Sequence, residues 1–141
     1  MIEIALVVLV ALVLLGCAVP AIQGTLTYFR VHGAASSAVW AIQSTRYQSL
    51  MEGYPYQVTF DATKKTYQIA SEPIGAGSFS NVGSAVPLSG DAVSLNQTTT
   101  IQLNPNGSVS ATAGSLTFTI TCQGSTETIT VTNYGNVTVT P

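Results

Sequence analysis

Apolar and polar positions follow three different rules along this chain. From Ile4 to Ile22 the sequence is apolar throughout and carries no charge. As a helix this run reaches roughly 28 Å at about 1.5 Å per residue, close to the thickness of a bilayer core. From Thr25 to Glu52 the pattern changes. Leu26, Phe29, His32/Gly33, Ser36, Val39/Trp40, Gln43, Tyr47 and Leu50 recur at steps of three and four residues, which predicts a helix with this stripe as its packing face. Ala34, Ala35, Ala38 and Ala41 supply small contact positions, and Gly53 and Pro55 stop the helix. One long helix is expected, broken near Pro20. A proline inside a helix removes a hydrogen bond and kinks or breaks it. Gly16 and Gly24 flank it as weak helix residues, so Gly16 to Gly24 reads as a melted segment.

The third rule is alternation. Tyr56, Val58 and Phe60 alternate with Gln57 and Thr59, a half-buried strand. Asp61 to Lys65 reads as a turn and Thr66 to Ala70 as the returning strand. Ser71 to Gly90, rich in Gly, Ser and Pro, reads as a loop. Thr99 to Leu103 is a further strand, closed by the turn Asn104-Pro105-Asn106-Gly107. Leu116, Phe118, Ile120 and Cys122 alternate with threonines. Gln123-Gly124-Ser125 turns the chain, Ile129 and Val131 continue, Asn133-Tyr134-Gly135-Asn136 turns again, and Val137 and Val139 finish it. A long helix followed by strands with short turns is α+β with segregated elements: a kinked N-terminal α-helix packed against antiparallel β-sheet. The face carrying Trp40 and Tyr47 is expected to cover the inward side chains of Val58, Phe60, Leu116, Phe118, Ile120, Ile129 and Val131. Residues 1–24 divide off as a hydrophobic segment, and 25–141 as a globular head.

Composition narrows the functional classes. Charged residues are 7% of the 141, against about 25% in ordinary soluble domains. A hydroxyl-rich, charge-poor surface suits an extracellular or assembled protein. A net charge of −2 gives no electrostatic footprint for nucleic acid or anionic lipid. His32 is the sole histidine, the carboxylates Asp61, Glu72, Asp91 and Glu127 are scattered, and neither a paired-acid spacing nor a zinc-like cluster is visible. No catalytic residue, cofactor or metal is expected; Asp91 alone is thin support for calcium. Cys17 and Cys122 read as free thiols packed as small hydrophobes.

One residue breaks the first rule. Glu3 precedes the apolar run, and no other charge follows until Arg30. A simple membrane anchor explains the length of the run but not the acid. Leu14-Leu15-Gly16-Cys17 is similar to a bacterial lipoprotein box, yet export signals open with positive charge. The stretch MIEIALVVLVALVLLGCAVPAI, with Pro20 seventeen positions after Glu3, resembles the N-terminus of type IV pilins and type II secretion pseudopilins. The helix exit from Ala41 to Asp61 and the closing hairpin resemble the FimT/GspH subgroup, the H-type pseudopilins and related pilins.

That resemblance implies a ladle-shaped pilin fold and a structural role. The hydrophobic helix is stored in the inner membrane as a single-pass precursor and is then moved into the core of a helical, extracellular filament of like subunits. Inner-membrane assembly machinery and a prepilin peptidase, which removes a short basic leader, are the implied partners. Glu3 pairs with a neighbour's N-terminal amine, in keeping with the cost of an unpaired charge in low dielectric. Ile4, Leu6, Val7, Val10 and Leu14 pack the filament core, and Gly16, Pro20 and Gly24 let it stretch. The main subunit of a type IV pilus-like filament is the leading expectation. A minor H-type pseudopilin and a membrane-anchored or lipidated surface-binding domain are the alternatives. Some FimT-like pilins capture DNA with arginines near the C-terminus; Asn136 to Pro141 has no basic residue, so specific nucleic-acid binding is not expected.

Overall fold

The computed structural model describes residues 2–88 and 93–141, without the side chains of Ile2, Ala5 and residues 14–23. Helix α1 spans Ile2–Glu52. Nine strands follow: β1 (Tyr56–Asp61), β2 (Thr66–Ser71), β3 (Ser80–Pro87), β4 (Ser94–Leu95), β5 (Thr99–Leu103), β6 (Val109–Ala113), β7 (Thr117–Cys122), β8 (Ser125–Val131) and β9 (Val137–Thr140). They form two antiparallel sheets, ordered β3-β2-β1-β5-β6 and β4-β7-β8-β9. α1 lies across β1 and β5 of the first sheet and β7, β8 and β9 of the second.

Alternation builds the sheets. In β1, β5, β7 and β8 the inward residues are buried and their neighbours only partly so. Val58 pairs with Ile69 on one side and Ile101 on the other. Phe118 pairs with Ile129. Phe60 and Phe118 meet with ring centroids 5.0 Å apart and join the two sheets through one core. The outward faces carry cross-strand threonine pairs instead of charges: Thr59 with Thr100 at 3.1 Å, Thr117 with Thr130 at 3.4 Å, and Thr121 with Thr126 at 3.1 Å. Cys122 is a buried free thiol; the side chain of Cys17 lies outside the described residues.

The turns are set by local chemistry. Asp61 Oδ1 accepts hydrogen bonds from the backbone N–H groups of Thr63 (2.9 Å) and Lys64 (3.0 Å). These bonds hold its carboxyl below the ordinary range. Between β7 and β8, Gln123 and Gly124 both take positive φ, at 47° and 88°, the geometry of a two-residue hairpin loop that matches strand twist.

Three expectations are corrected. The stretch from Ser71 to Gly90 is not all loop, because Ser80–Pro87 pairs with β2 as an edge strand. All eight of its residues are exposed, so neither face is buried and no alternation of buried and exposed positions marks it. β4 and β6, made mainly of small and hydroxylated residues, leave the same faint trace. Next, α1 continues through Pro20 as one helix, where an interruption was expected; a long helix can carry a proline at the cost of one hydrogen bond and a bend. The third correction concerns the face of α1.

Candidate assembly surface

α1 meets the sheets with small residues. Thr27, Val31, Ala34, Ala35, Ala38, Ala41, Ile42, Thr45 and Ser49 are its buried positions. Four alanines at the contact let the helix axis come close to the strands, since side-chain size sets that distance. The expected stripe lies on the opposite side. Trp40 is 65% exposed and Tyr47 63%, and Leu26, Phe29 and Leu50 are exposed with them. The sheet core is therefore covered by the alanine face, not by Trp40 and Tyr47. The spacing of the large residues was read correctly as one face, but a surface that is large, apolar and exposed belongs to an interaction, not to the fold's own core.

Polar contacts lock the rotation of α1. Thr27 Oγ1 donates to Gln123 Oε1 at 2.8 Å. His32 Nδ1 lies 3.1 Å from Glu127 Oε1 on β8. Arg46 Nη1 donates to the carbonyl oxygen of Gly135 at 3.3 Å. The single proton of Ser49 Oγ is shared between the carbonyl oxygens of Leu103 (2.9 Å) and Tyr54 (3.0 Å). Beyond the helix end, the hydroxyls of Tyr54 and Tyr56 both donate to Glu52 Oε2. The Tyr54 bond, followed by the Tyr56 bond, holds the Glu52 carboxyl below its ordinary value, and burial raises the Tyr56 phenol.

Among the described side chains at the start of α1, none is covered by the head. Ile4, Leu6, Val7 and Val10 are exposed, as are Val8, Leu9, Leu12 and Val13. Glu3 is exposed in the first turn. Met1 and the side chains of Leu14 and Pro20 lie outside the described residues, as does the side chain of Gly16's neighbour Cys17; Gly24 is described and exposed. The sequence located the large apolar residues of α1 but assigned the Trp40–Tyr47 stripe to the core, where the structure leaves it exposed. Trp40 and Tyr47 expose a second apolar stretch of α1 beside the head.

Among the described residues no helix is long and apolar enough to cross a membrane, and the run from Ile4 to Ile22 lies only partly within them. Among the same residues no three His, Cys, Asp or Glu side chains group as metal ligands do; Asp91 lies outside them. His32 and Glu127 stand 95 positions apart in the sequence. The structure brings them together, and only the sheet register could have revealed it.

A long N-terminal helix, half packed on antiparallel sheets through its small face and half projecting with apolar residues exposed, is the arrangement of pilin-like subunits. A family model for type II transport protein GspH matches residues 34–135, more than half of the chain, and the protein belongs to that family. No curated protein and no solved structure matches it.

Proposed function

We propose that the chain is a structural subunit that polymerises through α1 into a pilus-like filament. One observation carries the reading. Large apolar side chains of α1 are exposed at its start, at Ile4, Leu6, Val7 and Val10, and again along the head, at Leu26, Phe29, Trp40, Tyr47 and Leu50, and the chain's own core uses neither set. Burying such a surface favours association in proportion to its area. In this reading residues 1–24 form the filament core and 25–141 the outer head. Ile4, Leu6, Val7, Val10 and Leu14 pack between copies. Glu3 pairs with a neighbour's N-terminal amine and sets the register. Gly16, Pro20 and Gly24 mark the stretch that unwinds under packing or load. Before assembly the apolar run rests in the inner membrane, and the assembly machinery and prepilin peptidase act there. The family points to a structural rather than a catalytic part, played together with other subunits of its kind.

The family match favours a second reading, a minor H-type pseudopilin that joins other pseudopilins in a type II secretion system. Shearing cells, imaging the sheared fraction by electron microscopy and identifying its protein by mass separates the two. Filaments made mainly of this chain support a main subunit. A trace of the chain in filaments of another pseudopilin supports the minor role. A chain retained in the membrane, with lipid on Cys17 and no filament, overturns both in favour of an anchored surface domain.

A further inference from the structure

We propose that the carboxylate of Glu127 is a socket for the guanidinium of Arg30 from a second copy of this chain. The inference rests on the reading of the chain as a polymerising subunit, and it adds a contact in the head to those of the N-terminal helices.

Glu127 stands alone in the middle of β8 and is only 7% exposed. Its Oε1 faces His32 Nδ1, while Oε2 is buried and has no hydrogen-bond partner among the described residues. A buried carboxylate oxygen without a donor is unfavourable unless something supplies one. The acid opens into a groove of about 360 Å³ between α1 and the last hairpin, lined also by His32, Ser36, Trp40, Gln43 and Val139. A carboxylate floor beside an exposed indole is suited to a planar cation. A guanidinium donates to the oxygen and stacks on the ring, and it is less strongly hydrated than an ammonium. A hard metal ion, needing six or more oxygens, finds one acid here.

The chain has four basic side chains. Arg46 is engaged with Gly135, and Lys64 and Lys65, on the β1–β2 turn, carry ammonium groups, which lack the planar fork that stacks on an indole. Arg30 is exposed on α1 and forms no ion pair among the described residues. Its position on the helix is the decisive point. At about 100° per residue, Arg30 lies roughly 80° to one side of Trp40 and His32 roughly 80° to the other. The cation and the socket flank the same exposed stripe from opposite sides, so a copy cannot fill its own socket. One copy's Arg30 flank meets the next copy's Glu127 flank, with the Leu26–Phe29–Trp40–Tyr47 stripe buried between them. A contact between two different patches is heterologous, and repeated it gives an open polymer instead of a closed dimer.

The test uses the full-length chain, assembled from detergent by dilution and measured by sedimentation, with circular dichroism as the check on folding. Glu127→Gln and Arg30→Gln are each expected to raise the critical concentration by on the order of tenfold. The double variant is expected to do no worse than the poorer single one. An equimolar mixture of the two single variants is expected to recover part of the loss, because each supplies what the other lacks. Wild-type assembly by either single variant, under conditions where Glu3→Ala fails to assemble, overturns the socket and leaves the filament reading standing. A double variant that loses the product of the two single effects also overturns it. If Glu127→Gln unfolds the head, exposed Arg30→Gln still decides. A wild-type chain that assembles only with a different helical subunit, in a manner blocked by Glu127→Gln, overturns the second copy as occupant together with the homopolymer.

Discussion

Arg46 on α1 donates a hydrogen bond to the backbone carbonyl of Gly135, 89 positions later in the chain, and the glycine makes room for it. A Cβ at residue 135 would lie 2.6 Å from Arg46 Nε, and the backbone there has φ of +75°. The positive φ strains any L side chain there, and a Cβ would also push the Arg46 side chain out of its present place. Gly135→Ala is expected to cost about 1–3 kcal/mol, read as a lower denaturation midpoint. Unchanged stability would show that the last hairpin is not held against the helix.

The two faces of α1 make opposite predictions. Trp40→Ser and Tyr47→Ser remove exposed residues and are expected to leave stability within about 0.5 kcal/mol of wild type while lowering filament yield. Ala38→Leu fills the close contact with the sheets and is expected to cost about 1–3 kcal/mol through overpacking. Thermal melts and sedimentation of the same three variants check both halves. Strong destabilisation by Trp40→Ser would restore the stripe to the core.

Glu52 offers a pH signature. Its carboxylate accepts from Tyr54 and Tyr56, and these bonds favour the ionised form. Because the folded pKa lies below the unfolded one, the contribution is present above the unfolded value and is lost as pH falls through the folded one. NMR titration of the Glu52 side chain is expected to give a midpoint below 4.5. Tyr54→Phe should raise that midpoint more than Tyr56→Phe does. A midpoint untouched by either variant would remove the hydroxyls as its cause.

Glu3→Ala is expected to leave the circular dichroism of the head unchanged and to reduce filament yield by tenfold or more. Glu3 is exposed in the first turn of α1, so the fold has no buried contact of it to lose. Normal yield from this variant would leave the acid without the pairing role.

Legibility in the sequence depended on contrast between neighbouring positions. β1, β7 and β8 were visible because Val58, Phe60, Phe118, Ile120, Ile129 and Val131 alternate with hydroxyls and amides. β3 was invisible because Asn81, Gly83 and Ser84 sit on a strand wet on both faces. The helix was visible and its face was not. Periodicity marks a stripe of large apolar residues but does not state whether the chain itself or a neighbour covers it. Here the alanines face inward, and Trp40 and Tyr47 are left outside. The Glu127 groove depended on the rotation of α1 against β8, which no local pattern encodes.

The threonine pairs across β1–β5 and β7–β8 have an environmental consequence. Hydration of these strand faces is carried by hydroxyl groups, whose hydrogen bonds are neutral and depend little on ionic strength. These strand faces keep the same hydrogen-bonding groups in dilute and in salty water.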